Sequence, residues 1–136
     1  MRRARLAVLT ALATSLLVAP AGGIEARPGD RYVSLGDSYT AGPLIPAQVA
    51  PFGCLKSNRN YPNVVNATLG GSAFRDISCS GATTDDMFAP QAVTGGSNPA
   101  QLSALSATTS LVTLGIGGND IGFTEIIENC STLNPF

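Results

Sequence analysis

Tyr32-Val33-Ser34-Leu35-Gly36-Asp37-Ser38-Tyr39-Thr40-Ala41-Gly42 is the stretch whose reading decides the fold. A short apolar run, expected as a strand over Arg31 to Leu35, breaks off in Gly-Asp-Ser. Ser38 is thereby set just past the carboxyl end of a buried strand, where α/β folds hold their ligands. Gly, Asp and Ser are also the commonest turn residues, so the tripeptide gains weight only from two stretches further along the chain.

Both of those stretches repeat the arrangement. A second strand is expected over Ala73 to Ser78, and it runs into Cys79-Ser80-Gly81-Ala82-Thr83-Thr84-Asp85-Asp86. There Thr83 or Thr84 can cap a helix whose first turn is acidic, and the Gly81 N–H is available to an anion. Leu111-Val112-Thr113-Leu114-Gly115-Ile116 is the clearest strand, β-branched and apolar, and is expected at the centre of a parallel sheet. Gly117-Gly118-Asn119-Asp120 comes immediately after it. Asn119 offers a side-chain amide to a developing oxyanion, and Asp120 is read as the cap of the next helix, over Phe123, Ile126 and Ile127.

Between these strands, Tyr61 to Leu69 is expected as a helix with Pro62 in its first turn and Gly70-Gly71 as its stop. Asn98-Pro99-Ala100-Gln101 has the spacing of a capping box opening a short helix. Ala41 to Asn60 is irregular and is read as a wall of the site, lined by Leu44, Ile45, Val49 and Phe52. The alternation of strands and helices is that of a doubly wound α/β sheet, with Ser38, Gly81 and Asn119 each beyond a strand's carboxyl end. A serine hydroxyl beside two independent N–H donors is what acyl transfer requires: a nucleophile and an oxyanion hole.

The flanks set the context. Met1 to Ala21 has a basic start at Arg2, Arg3 and Arg5, an apolar run over Leu6 to Val18, and small residues at Ala19 and Ala21. It reads as a signal peptide cleaved after Ala21, with a flexible leader over 22–30 next to it. The apolar run is shorter than the roughly 18–20 residues a membrane span needs, so no stable membrane anchor is expected. Cleavage removes three of the 8 basic groups and none of the 9 acidic ones, taking the net charge from -1 to about -4. That balance argues against a nucleic-acid partner. About 115 residues remain, one small domain over 31–136. With no C-x-x-C spacing and no histidine, no metal site and no cofactor are implied. In an exported chain Cys54, Cys79 and Cys130 are disulfide candidates; Cys54 with Cys79 is the favoured pair, and Cys130 is left over.

With Gly36-Asp37-Ser38-Tyr39, Ser80-Gly81-Ala82-Thr83-Thr84 and Gly117-Gly118-Asn119-Asp120 in order, the chain resembles the secreted SGNH hydrolases, the GDSL esterases and lipases, of actinobacterial type. The likeness runs from about Tyr32 to about Cys130. It implies a flavodoxin-like three-layer α/β/α fold and hydrolysis of small-molecule or lipid carboxylic esters. By position it makes Ser38 the nucleophile and assigns the oxyanion hole to the Ser38 and Gly81 N–H groups and the Asn119 side chain. In similar members disulfides flank the second block and come after the third; Cys54–Cys79 fits the first of these. The family's fourth defining residue is a histidine in a later Asp-x-x-His block, and these 136 residues contain none. The sequence is therefore expected to be the N-terminal part of such a domain, cut after its third strand and inactive alone. The other reading is a non-catalytic module that binds an ester or glycan in the same crevice. Lys56, the sole lysine, is a candidate base for Ser38, but is read as a solvated loop residue and set aside.

Overall fold

The computed structural model describes residues 31–70 and 73–132. The expected signal peptide with its cleavage after Ala21, the leader over 22–30 and Gly71 of the expected helix stop lie outside them. In chain order the elements are β1 (Arg31–Gly36), α1 (Ser38–Ala41), β2 (Gln48–Val49), β3 (Lys56–Ser57), α2 (Tyr61–Thr68), β4 (Ala73–Asp76), β5 (Gln91–Val93), β6 (Gly96–Asn98), β7 (Thr109–Gly115) and α3 (Phe123–Thr132). Single 3₁₀ turns lie at Phe52–Cys54, Thr84–Met87 and Gln101–Ala104.

The three expected strands form one parallel sheet in the order β4-β1-β7, while β2-β3 and β5-β6 are small antiparallel hairpins. Counted along the chain, the large sheet runs second, first, third. That is the opening of a flavodoxin-like sheet, and the order reverses between β1 and β7. The sequence pattern puts the third strand at the centre; among the described residues β1 takes that place, paired on both edges and buried from Tyr32 to Gly36. β7 alternates between half-buried and exposed positions. Composition does not separate the two strands, since both are short and carry apolar residues at alternate positions; the crossovers through α2 and through the segment 77–108 decide their order.

The core is small. Val33, Leu35, Ile77 and Ala104 are buried together, with Leu102 and Leu105 packed against them. Each large aliphatic side chain buried in this way contributes roughly 1.5–3 kcal/mol. Tyr32 stacks on Phe74 with ring centroids 5.0 Å apart, which fixes the β1–β4 register on the other face. Cys54 and Cys79 form a disulfide that ties the long loop after α1 to the chain beyond β4.

Polar groups hold the connections. Asn60 caps α2, its Oδ1 accepting from the Asn63 N–H, while its Nδ2 donates to the Thr40 carbonyl at 3.0 Å and to Asp76 Oδ2 at 2.7 Å. Gln101 is fully buried and pairs through both ends of its amide with Gly36: Oε1 accepts from the Gly36 N–H at 2.7 Å and Nε2 donates to the Gly36 carbonyl at 3.0 Å. The capping box expected at Asn98 and Gln101 is therefore absent. Ala100 precedes the turn without a side-chain cap, and Asn98 donates instead to the Ile77 carbonyl at 3.0 Å. Both amides meet buried main-chain groups that would otherwise go unpaired, and this demand outweighs a local cap.

Candidate active site

The turn after β1 is built to present Ser38. The Asp37 N–H donates to the Gly115 carbonyl at 2.9 Å, locking the end of β1 to the end of β7. Asp37 then caps α1, its Oδ1 accepting from the Tyr39 N–H at 2.9 Å. Ser38 is the first residue of that single helical turn, half-buried, while Asp37 beneath it is buried. A first-turn N–H has no partner within its own helix, and none is found for Ser38 among the described residues. Gly36 must be glycine. Its φ is +151°, and a Cβ there would run into the Gly115 carbonyl oxygen and the Thr40 side chain.

The Gly117-Gly118-Asn119-Asp120 turn leaves β7 directly, at the point where the strand order reverses. Together with Asp37, Ser38, Tyr39 and Pro43, Gly118 and Asn119 line a solvent-open cavity of about 450 Å³. Phe123, Thr124, Ile127 and Glu128 of α3 complete it. The Tyr39 and Phe123 rings, both in its lining, have centroids 6.2 Å apart. Of the loop expected to form the wall, only Pro43 contributes; Leu44 is 99% exposed and Phe52 69% exposed. The loop folds away through its own β2–β3 hairpin and its tether at Cys54, and α3 supplies the apolar side instead.

Ser38 and Asn119 thus share one cavity, whereas Gly81 stands outside its lining. Gly81 is exposed, has φ +77°, and does not line the cavity. Its neighbour is held by Asn119, whose Nδ2 donates to the Ala82 carbonyl at 2.7 Å and has a second N–H with no acceptor among the described residues. No acceptor is found for the Gly81 N–H among the described residues. The second block is pinned behind this point: the Cys79 N–H donates to the Gly36 carbonyl at 3.0 Å and the Ser80 N–H to the Cys54 carbonyl at 2.9 Å. Thr83 caps the 3₁₀ turn in a reciprocal box with Asp86.

Two expectations about charged residues are corrected. Asp120 does not cap α3, which begins three residues later, at Phe123. Its carboxylate accepts from the Thr84 N–H, at 2.9 Å to Oδ1 and 3.2 Å to Oδ2, and from the Thr84 hydroxyl. These bonds hold its pKa below the usual carboxylate range. Lys56 is not a solvated loop lysine. It is 6% exposed, its Nζ donates to the Asp76 carbonyl at 2.6 Å, and burial pushes its pKa down against the pull of Asp76. It does not line the cavity. Among the described residues no cluster of His, Cys, Asp and Glu is arranged to hold a metal, and no helix is long and apolar enough to cross a membrane.

A family model for the GDSL-like lipase/acylhydrolase family matches residues 34–133, a span that opens in β1 and takes in all three blocks. The chain belongs to this family. Among curated GDSL-like relatives, Lipase 2 of Streptomyces coelicolor is 40% identical over 139 residues, covering 97% of this chain and 46% of its own. The lipase of Streptomyces rimosus is 34% identical over 137 residues, covering 93% and 47%. In solved structures, the extracellular lipase from Streptomyces rimosus superposes with a TM-score of 0.65 at 33% identity, over 78% of this chain and 42% of that one. Phospholipase A1 from Streptomyces albidoflavus gives 0.61 at 34% identity, over 75% and 39%. The chain spans less than half the length of these GDSL-like relatives. Their fold is the α/β fold expected from the sequence.

Proposed function

We propose that this chain carries the nucleophile and oxyanion hole of a secreted serine ester hydrolase. In this reading the Ser38 hydroxyl attacks the ester carbonyl carbon and gives its proton to a base. The new oxyanion accepts from the Ser38 N–H, the Gly81 N–H and the Asn119 side-chain amide. Collapse expels the alcohol, which takes that proton from the base. Water then gives a proton to the base, attacks the acyl carbon and releases the acid as the proton returns to the Ser38 oxygen. The observation that carries the reading is Asn119: it lines the cavity of Ser38, is fixed by one N–H to Ala82, and retains a second for the oxyanion. The N–H groups of Ser38 and Gly81, which have no acceptor among the described residues, support the same assignment.

The base is the part these residues lack. The 136 residues contain no histidine, and Lys56 donates to a main-chain carbonyl away from the cavity. We assign the base to a histidine encoded beyond Phe136, in keeping with relatives about twice as long. The chain alone is then inactive, since removing a triad member leaves only the roughly 10³–10⁴-fold acceleration given by the oxyanion hole and binding. The apolar cavity side, from Tyr39, Pro43, Phe123 and Ile127, suits an ester with an apolar acyl group. Export through the segment 1–21 and action on extracellular or lipid esters belong to the same proposal.

The test is hydrolysis of a p-nitrophenyl ester by the protein expressed from its full reading frame. Ser38→Ala should abolish turnover, and Asn119→Ala should lower kcat by about 10²–10³-fold. Turnover unchanged in Ser38→Ala would remove the reading. A reading frame that ends without a histidine would leave the ester-binding module.

A further inference from the structure

The second and third blocks come from different strands, yet the oxyanion hole just proposed takes one donor from each. Two side chains of the third block bridge them. Asn119 reaches the Ala82 carbonyl, and Asp120 takes both the N–H and the hydroxyl of Thr84. Asn119 is also a proposed donor, so its bond to Ala82 cannot alone set the distance at which it donates. Asp120 fixes the same two segments without facing the cavity. We propose that Asp120 is a positioning residue, which through Thr84 sets the separation of the Gly81 N–H from the Asn119 amide.

The chemistry at 120 fits that task. Both donors of Thr84 converge on Asp120 Oδ1, its N–H at 2.9 Å and its hydroxyl beside it, so a single acceptor oxygen at this place, carboxylate or amide, can tie the two segments. Thr84 opens the 3₁₀ turn, so its N–H has no partner inside the turn, and Asp120 fixes the start of that turn in space. On the other side, the third block is steadied by the Phe123 N–H donating to the Gly118 carbonyl at 3.0 Å. Asp120 and Thr84 are exposed and cover no core, so their loss removes a restraint and leaves packing intact. An oxyanion hole is sensitive to such a restraint, since a misplacement of about 1 Å costs on the order of 10²-fold in rate.

The experiment rests on the catalytic reading and is arranged to fail separately from it. In the protein from its full reading frame, Asp120→Ala should lower kcat by about 10–100-fold with KM within about twofold. Asp120→Asn, which still accepts the Thr84 N–H, should recover most of the loss. Thr84→Ala added to Asp120→Ala should cost nothing more, because the pair acts as one unit. The thermal midpoint should stay within about 4 °C. If Ser38→Ala and Asn119→Ala impair turnover while Asp120→Ala stays within about twofold, the positioning role is overturned and the site stands. If Ser38→Ala leaves turnover intact, the catalytic reading fails and NMR decides the positioning role. Asp120→Ala should then broaden or shift the Gly81 amide and the Asn119 side-chain signals, and Asp120→Asn should largely restore them. Unchanged signals would overturn the proposal.

Discussion

Gln101 offers the sharpest prediction about the fold, because one side chain carries two buried hydrogen bonds to the residue before the Asp37-Ser38 turn. Replacing it with leucine keeps the volume and removes both bonds. The Gly36 N–H, bonded to Oε1 at 2.7 Å, is left buried without a partner, which costs about 1–3 kcal/mol. The Gly36 carbonyl keeps the Cys79 N–H at 3.0 Å, so losing Nε2 costs only the net value of an ordinary bond, about 1 kcal/mol. Gln101→Leu should therefore lose about 2–4 kcal/mol, a large share of the roughly 5–15 kcal/mol of a small domain. Gln101→Glu separates the two bonds by pH. As a carboxylate it still accepts from the Gly36 N–H but sets a second oxygen against the Gly36 carbonyl; as an acid it donates there, as the amide does. Burial raises the pKa of that glutamate above its unfolded value. Its deficit against the parent is therefore smallest below the unfolded pKa of about 4.3 and grows as pH rises through the folded value. Urea unfolding monitored by circular dichroism, on parent and variants at matched pH from 4 to 8, reads both effects. A loss below about 0.5 kcal/mol in Gln101→Leu, or a pH-independent Gln101→Glu deficit, would refute the reasoning.

The same structure sets three further outcomes. Replacing Cys54 and Cys79 by alanine opens a loop of sequence separation 25, and the chain-entropy model puts the loss at about 3.5 kcal/mol, read as a lower urea midpoint. Lys56 has a folded pKa below its unfolded one, so it penalises folding most at low pH and the penalty lifts as pH climbs from the lowered value toward 10.5. Lys56→Met should accordingly flatten the rise of stability with pH in that window, and an unchanged slope would contradict the desolvation argument. Gly36→Ala forces a Cβ against the Gly115 carbonyl and should cost about 2–5 kcal/mol, visible as a fall in thermal midpoint.

Much of this is legible in the sequence because it is local. The three strands announce themselves by short, mainly apolar runs, each followed within a few residues by its polar block, so the order of strand end and candidate residue survives an error of one or two residues in the boundary. The disulfide is legible because three cysteines allow few pairings. Tertiary choices are not legible. Gln101 stands at capping-box spacing from Asn98, and nothing in the four residues tells that its amide is taken by Gly36, which lies 65 residues away. Asp120 stands near a helix start and is claimed by Thr84, 36 residues back. Lys56 lies in a proline-broken loop, a pattern that suggests solvent, yet the hairpin and disulfide around it bury its side chain. Nearness in sequence points to the loop after Ser38 as the apolar side of the cavity; α3, which starts directly after the turn at Gly122 with φ +66°, supplies that side through Phe123 and Ile127.

The central claim is that Ser38 is an activated nucleophile in the complete protein, and covalent labelling tests it most directly. The protein from its full reading frame is treated with a fluorophosphonate, reduced, digested with trypsin and analysed by mass spectrometry. The account predicts one adduct, on Ser38 within the peptide 32–56, lost in Ser38→Ala together with ester hydrolysis. Hydrolysis that persists with Ser38 unlabelled, or labelling unchanged in Ser38→Ala, would contradict it.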